Sequence, residues 1–456
     1  MINRFSLFAG TAICTLAMSA GAAHAKPVKH RATHKAAASA GQSEEIRALK
    51  AQIEALNARL DAQEASQHAT QASAEQAQAQ AAAAATQAQQ AQTQIAEQTQ
   101  AMPAQVKDQV KTAMNSAPKQ WFNDTSISGR MYFNFSNINQ KVDGANSTAN
   151  GTGFNVKRFY IGVDHKFDDV FSANITTDID NVIGNNNSNL VGKGLYVKKA
   201  YLQAKLNKAL VVRLGSADMP WIPYAEGIYG YRHIEQTLID RTKFGTSADW
   251  GIHLGGDLAN GIVSYAVSVV DGGGYRNVKV TKSVDVEGRV SVQYKGFNAA
   301  IGGYSGKLAN NVQNVVTPHT AQRINALLAY KTRLFTLGGE YFHAKNWDNN
   351  GFKFVTTNLT DTADGYSVFG SINPLKKVSL FSRYDWVKPN NDVRPGMRDH
   401  YFNAGVQYSP AKIVDLALVY KRETANNGTI STGNGTIGGI NRGTYDEFGL
   451  FGQFRF

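Results

Sequence analysis

From residue 126 to the C-terminus, apolar and polar residues alternate with a period of two, the period of a strand whose faces differ. The last run shows it most plainly. Phe448, Leu450, Phe454 and Phe456 share one face, and Gln453 and Arg455 take the other. Similar runs occupy residues 126–138, 154–166, 170–181, 195–206, 209–217, 250–257, 262–271 and 284–295. They continue at 298–307, 321–331, 334–345, 365–372, 378–388, 399–408, 413–423 and 444–456. Their lengths suit tilted strands crossing a bilayer, which takes ~9–11 residues.

The connections alternate short and long. The short ones centre on Asp168-Asp169, Asn207-Lys208, Ala259-Asn260-Gly261, Gly296-Phe297, Thr332-Arg333, Asn373-Pro374-Leu375 and Ser409-Pro410-Ala411. The long ones are rich in Asn, Gly, Ser and Thr, as at residues 185–189 and at Asn426-Asn427-Gly428. Short turns at one end and long loops at the other mark an antiparallel outer-membrane barrel. The pattern predicts an all-β protein, a 16-stranded antiparallel transmembrane β-barrel over residues 119–456. The final run resembles the closing strand of bacterial outer-membrane barrels, whose terminal Phe belongs to the assembly signal. A barrel of this size holds water rather than a packed core.

Alternation also assigns faces. It places Arg158 and Asp164 inside, opposite to Phe159, Ile161 and Val163. It turns Lys199, Gln203 and Lys205 inward, Arg213 inward, and Glu287, Arg289 and Lys295 inward. Charge on the lipid face costs ~2–4 kcal/mol for Lys or Arg at the midplane, so the bases belong in the lumen, at the rims or in loops. The longest connection, residues 218–249, carries Trp221, Tyr224, Tyr229, Tyr231, Arg232, Arg241 and Lys243, with Glu226, Glu235 and Asp240 among them. A loop so long and aromatic is expected to be ordered. It has the position of the third loop of general porins, which folds inward and narrows the pore; the alternative is a flap over the mouth.

The N-terminal portion is different. Arg4, an apolar stretch and Ala23-His24-Ala25 read as a signal peptide over residues 1–25. The single cysteine, Cys14, lies within it, so thiol and disulfide chemistry is not expected of the mature chain. Residues 26–43 are a basic run read as a solvated tether, with contact to anionic cell-wall peptidoglycan as the alternative. Residues 44–118 are read as a periplasmic coiled-coil and Ala/Gln-rich helix. Ile46, Leu49, Ile53, Leu56 and Leu60 are spaced as a and d positions. Ile at a with Leu at d favours dimers.

Charge and chemistry narrow the class. Residues 121–456 contain 36 Lys plus Arg and 27 Asp plus Glu, a net of +9. A water-filled lumen with surplus positive charge attracts anions, because its low-dielectric wall focuses the field. The barrel histidines, His165, His233, His253, His319, His343 and His400, lack triad or metal spacing and read as loop or rim residues. Gly272-Gly273-Gly274 opens no helix and is no phosphate cradle. No catalytic group, metal site, cofactor or nucleic-acid partner is expected.

Val156-Lys157-Arg158-Phe159-Tyr160-Ile161-Gly162-Val163 and Val212-Arg213-Leu214-Gly215-Ser216-Ala217-Asp218-Met219-Pro220 resemble the phosphate-selective porin O and P family. The likeness extends loosely over residues 121–456. It implies a trimeric anion channel in the outer membrane of a Gram-negative cell, with lumenal arginines and lysines. The expected lining bases are Arg158, Lys199, Lys205, Arg213, Arg232, Arg241, Lys243, Arg289 and Lys295, and the expected solutes are phosphate or similar small anions. The alternatives are a general or carbohydrate-preferring porin, with Trp221, Tyr224, Tyr229 and Tyr231 as an aromatic slide, and a structural cell-wall tether.

Overall fold

A computed structural model describes residues 41–100, 121–179 and 195–456. The expected signal peptide, the tether up to residue 40, the end of the Ala/Gln tract and the Asn-rich connection at 185–189 lie outside the described residues. The described parts belong to two units.

The first unit contains one helix, α1, Gly41–Gln100, which takes in the last three residues read as tether. Ala, Gln and Glu are strong helix formers, so local propensity sustains it. At ~1.5 Å per residue, 60 residues extend ~90 Å. Leu49, Ile53, Leu56 and Leu60 are all exposed. None of the described helices is long and apolar enough to cross a membrane.

The second unit is a closed antiparallel barrel of sixteen long strands among the described residues. A 3-10 turn, Trp121–Asp124, leads into β1, Thr125–Val142. A two-residue arm, β2, Ala145–Asn146, doubles back on it. Then follow β3, Gly151–Lys166; β4, Phe171–Asp178; β5, Tyr196–Asn207; and β6, Leu210–Asp218. After the longest connection come β7, Ala248–Leu258; β8, Val263–Val270; β9, Asp285–Tyr294; and β10, Phe297–Gly306. The chain continues through β11, Ala321–Lys331; β12, Phe335–Lys345; β13, Thr362–Leu375; and β14, Val378–Lys388. It ends with β15, Arg398–Ala411; β16, Val414–Thr432; and β17, Gly435–Arg455.

Each long strand pairs with its sequence neighbours, and β1 pairs with β17 from Arg130↔Arg455 to Val142↔Gly443. Gly129 and Phe456 exchange both backbone hydrogen bonds at 3.0 Å, so the terminal residue completes the seam. Outward positions are apolar as the alternation requires: Ile161, Val163, Leu202, Leu206, Leu214, Val286, Val290 and Val292 are exposed.

Two features differ from the sequence reading. Asn373-Pro374 and Ser409-Pro410 do not form turns. They sit at register irregularities in the strand ends, where a proline without an N–H interrupts no ladder bond, and the turns fall at Lys376-Lys377 and Lys412-Ile413. Asn426-Asn427-Gly428 is not a loop either. It is an irregularity inside β16, and the β16–β17 hairpin runs on to a tight turn at Gly433-Asn434.

The lumen is filled on one side. Residues 219–247 fold inward and carry α2, Ile222–Tyr229, and α3, Leu238–Arg241. Pro223 lies in the first turn of α2, and Gly230 ends the helix at φ 83 with its N–H on the Glu226 carbonyl. Trp221, Ile222, Ile228, Tyr229, Leu238 and Phe244 are buried with inward residues of the far wall, among them Leu327, Phe342, Phe369, Phe381 and Val419. Burying each such side chain contributes ~1.5–3 kcal/mol. Gly302 on β10 makes room for this packing, since a Cβ there would stand 2.7 Å from the Trp221 ring.

The seam can be tested at Gly129, where a Cβ would meet the Phe456 ring at 2.2 Å. Gly129→Leu should cost ~1–3 kcal/mol by overpacking and slow insertion into detergent or vesicles. Heat-modifiable gel mobility reads the folded fraction; a variant that folds at the native rate would show that the ring is free to move aside.

Candidate functional site

The inner loop is held by buried charge. Arg241 on α3 has no exposed surface and meets three carboxylates from three consecutive strands. Its Nε lies 2.9 Å from Asp385 on β14, its Nη2 2.9 Å from Asp399 on β15, and its Nη1 2.7 Å from Glu423 on β16. The Tyr401 ring lies 4.5 Å below the guanidinium. Arg383 adds a second positive charge at Asp385, 2.6 Å away, and donates to the Gln236 carbonyl. Lys421 on β16 joins loop Glu235, at 3.3 Å, to Glu447 on β17, at 3.2 Å.

The near end of the loop is tied down similarly. The Trp221 backbone N–H donates to Glu287 at 2.9 Å, and its indole N–H to Glu340 at 2.7 Å. Arg323 bridges Glu287 and the Phe244 carbonyl. Arg289 donates to the Pro220 carbonyl at 2.8 Å, and Lys157 to that of Ile234 at 3.2 Å. The acids of this wall are therefore engaged in anchoring. His233 in the loop is buried beside the Tyr132 and Tyr231 rings, and burial pulls its pKa down to about 4, so it stays neutral near pH 7.

The opposite wall, β1 with β3 to β9, stays open. A cavity of 680 Å³ lies between it and α2, and a second of 400 Å³ continues beneath β5 to β9; Asp218 borders both. The larger is lined by six bases, Arg130, Lys198, Lys199, Arg232, Lys412 and Arg455, against Asp164, Asp218 and Glu226. The smaller is lined by Lys205, Lys208, Arg213 and Arg289 against Asp218 and Asp257. Acids are fewer than bases in each. Gly215 allows β6 to reach this wall: its φ is +124, and a Cβ there would lie 2.2 Å from the Ala200 carbonyl oxygen.

The residues named from sequence divide accordingly. Lys199, Lys205, Arg213, Arg232 and Arg289 border these cavities. Lys199 pairs with Asp218 at 3.1 Å, and Arg232 sits on Glu226. Arg158 faces inward but is held by Asp178 at 2.7 Å and borders neither cavity. Three assignments need correction. Arg241 is no lining residue, because it is wholly enclosed by carboxylates. Lys243 bonds to Ser431 in the β16–β17 hairpin and stands away from both cavities. Lys295 is exposed in the β9–β10 turn, with positive φ, where the alternation has already ended. The aromatic slide is also absent as imagined: Trp221, Tyr229 and Tyr231 are buried in loop packing.

Other lining residues escaped the sequence reading. Arg130 shares parity with inward Tyr132 and was legible from alternation. Lys198 was not, and neither was Lys157, which borders neither cavity and instead holds the loop at the Ile234 carbonyl. Each is the extra residue of a β-bulge, Lys157 opposite to the Tyr132/Phe133 step and Lys198 opposite to Thr176/Thr177, and a bulge breaks the period of two. His253 is not a rim residue: it faces the smaller cavity, 2.8 Å from Ser268 Oγ.

A sixteen-stranded barrel narrowed by an inward-folded third loop is the fold of the outer-membrane porins. The anion-selective porin of Comamonas acidovorans is similar at a TM-score of 0.53 and 13% identity, over 73% of this chain and 99% of that one. OmpF of Salmonella typhi, in complex with daunomycin, is similar at a TM-score of 0.51 and 12% identity, over 73% and 99%. The sequence matches no family model and no curated protein.

Removing Arg241 tests the anchor. Arg241→Ala leaves Asp385, Asp399 and Glu423 facing one another and should cost ~3–5 kcal/mol locally. Residues 219–247 should then become cleavable by added protease while the barrel keeps its heat-modifiable mobility. Continued protection of the loop would show that its apolar packing alone suffices.

Proposed function

We propose that this protein is a passive diffusion channel of the outer membrane that prefers small anions. The observation that carries the reading is the uneven use of charge inside the barrel. The acids of β9, β12 and β14 to β17 hold the loop, so the open wall is left with a surplus of bases. An anion entering there exchanges part of its water shell for successive weak donors, and each must stay weak for the ion to leave. Arginine holds two oxygens of an oxyanion in its planar fork, while lysine acts as a point charge. The resemblance of residues 156–163 and 212–220 to phosphate-selective porins supports phosphate or similar small anions as solutes. The carbohydrate alternative loses support, because three of the four slide aromatics are buried.

The same reading places α1 on the periplasmic side, where its exposed seam, Leu49, Ile53, Leu56 and Leu60, joins a trimer of barrels. A narrow apolar seam on an isolated helix gains stability only from partner helices. The basic run before it fits the peptidoglycan layer.

Planar-bilayer recording of the purified protein should show ohmic channels, with a reversal potential in a KCl gradient that reports anion preference. Changing Lys205 and Arg213 together to Glu should lower the anion-to-cation permeability ratio several-fold, since a unit charge at 4 Å is worth ~1–4 kcal/mol between bulk water and a protein surface. Cation preference in the unmodified protein, or no conductance from folded protein, would overturn the proposal. Deleting residues 44–101 should weaken the oligomer on native gels and spare the barrel; loss of heat-modifiable strands instead would refute that division.

A further inference from the structure

The bases of the open wall stand against aromatic faces. Lys198 Nζ lies 4.8 Å from the Tyr160 ring centroid, the Arg213 guanidinium 5.5 Å from Tyr201, and the Arg232 guanidinium 6.0 Å from Tyr132. Tyr132 and Tyr160 themselves meet edge to face, with centroids 5.8 Å apart and planes at 80°. All three tyrosines line the 680 Å³ cavity, and Pro223 of α2 lines it from the loop side. The passage thus offers flat carbon surface beside its positive charge at the same level of the pore.

Inorganic phosphate makes use of only half of that lining. It is compact and strongly hydrated, and it has nothing to lay against a ring. A planar organic acid uses both halves. Its carboxylate takes Arg130 or the Lys199 ammonium, since the Nε and Nη2 of Arg232 already face Glu226 and Asp240, while its ring packs against the tyrosine edges and the proline. Offset or edge-on aromatic contacts contribute about 0.5–1.5 kcal/mol beyond area burial. That is enough to favour one solute over another and too little to trap it.

Resting on the anion-channel reading above, we propose that the cavity beside α2 is a subsite for ring-bearing organic carboxylates, which the channel passes in preference to inorganic phosphate. The probes are benzoate, cyclohexanecarboxylate and phosphate. Cyclohexanecarboxylate matches benzoate in charge and approximate size but has no flat π face. With full-length protein in planar bilayers, bi-ionic reversal potentials against chloride give each permeability. Benzoate should exceed both other anions several-fold and should reduce the chloride current in a saturable manner. Tyr160→Leu and Tyr201→Leu should each lower the benzoate-to-cyclohexanecarboxylate ratio, and Tyr160→Phe should restore it, because the ring and not the hydroxyl is required. An anion-selective channel that passes benzoate no better than cyclohexanecarboxylate overturns this inference and leaves the anion-channel reading standing. Cation selectivity overturns the anion-channel reading itself. The ratio measured on the unmodified protein decides the matter even where a leucine variant fails to fold.

Discussion

Arg241 and its three carboxylates organise the inside of this barrel. A lone guanidinium at zero exposure would be expensive, and three unpaired carboxylates at the same depth would be more so. Each group makes the other tolerable only if α3 stays within hydrogen-bond distance of β14, β15 and β16. The loop therefore cannot drift toward the open wall without separating charges in a poorly screened interior. The Trp221 bonds to Glu287 and Glu340 do the same at the other end of the loop. Between these two anchors α2 is held out across the lumen, and it sets the width of what remains open.

That arrangement also determines the character of the pore. The barrel's excess of positive charge would mean little if acids and bases were mixed evenly along the wall. They are sorted instead. Carboxylates gather behind the loop, where Arg241, Arg383, Arg323 and Lys421 meet them. The surplus bases gather in front, where water and solute reach them. One structural need, anchoring a loop of some thirty residues, thereby produces the electrostatic asymmetry that the channel reading depends on.

The strands were legible because a barrel wall imposes a period of two on every residue that crosses it. The expected runs overlap all sixteen long strands, and the largest departure is the β16–β17 hairpin, where Asn426-Asn427-Gly428 suggested a loop but the strands run on to Gly433-Asn434; Pro374 and Pro410 suggested turns and sit at strand irregularities instead. The lining was legible only in part. Alternation says which side of the wall a residue takes; it turned Lys199, Lys205, Arg213 and Arg289 inward, and all four border the two cavities. It has nothing to say of Lys157 and Lys198, because a bulge gives neighbouring residues the same face.

Sequence alone determined the barrel, its strand order and its outward apolar belt, since all of these follow from local periodicity and composition. Tertiary structure alone decided which charges border open space. Arg232 and Arg241 lie nine positions apart in one loop and looked alike in sequence. One borders the open cavity, and the other is enclosed by Asp385, Asp399 and Glu423, the last of them 182 residues further along the chain. No local pattern encodes such a meeting. It exists because closing the sheet brings distant strands around a common lumen, and a charge buried there is stable only where opposite charge already waits.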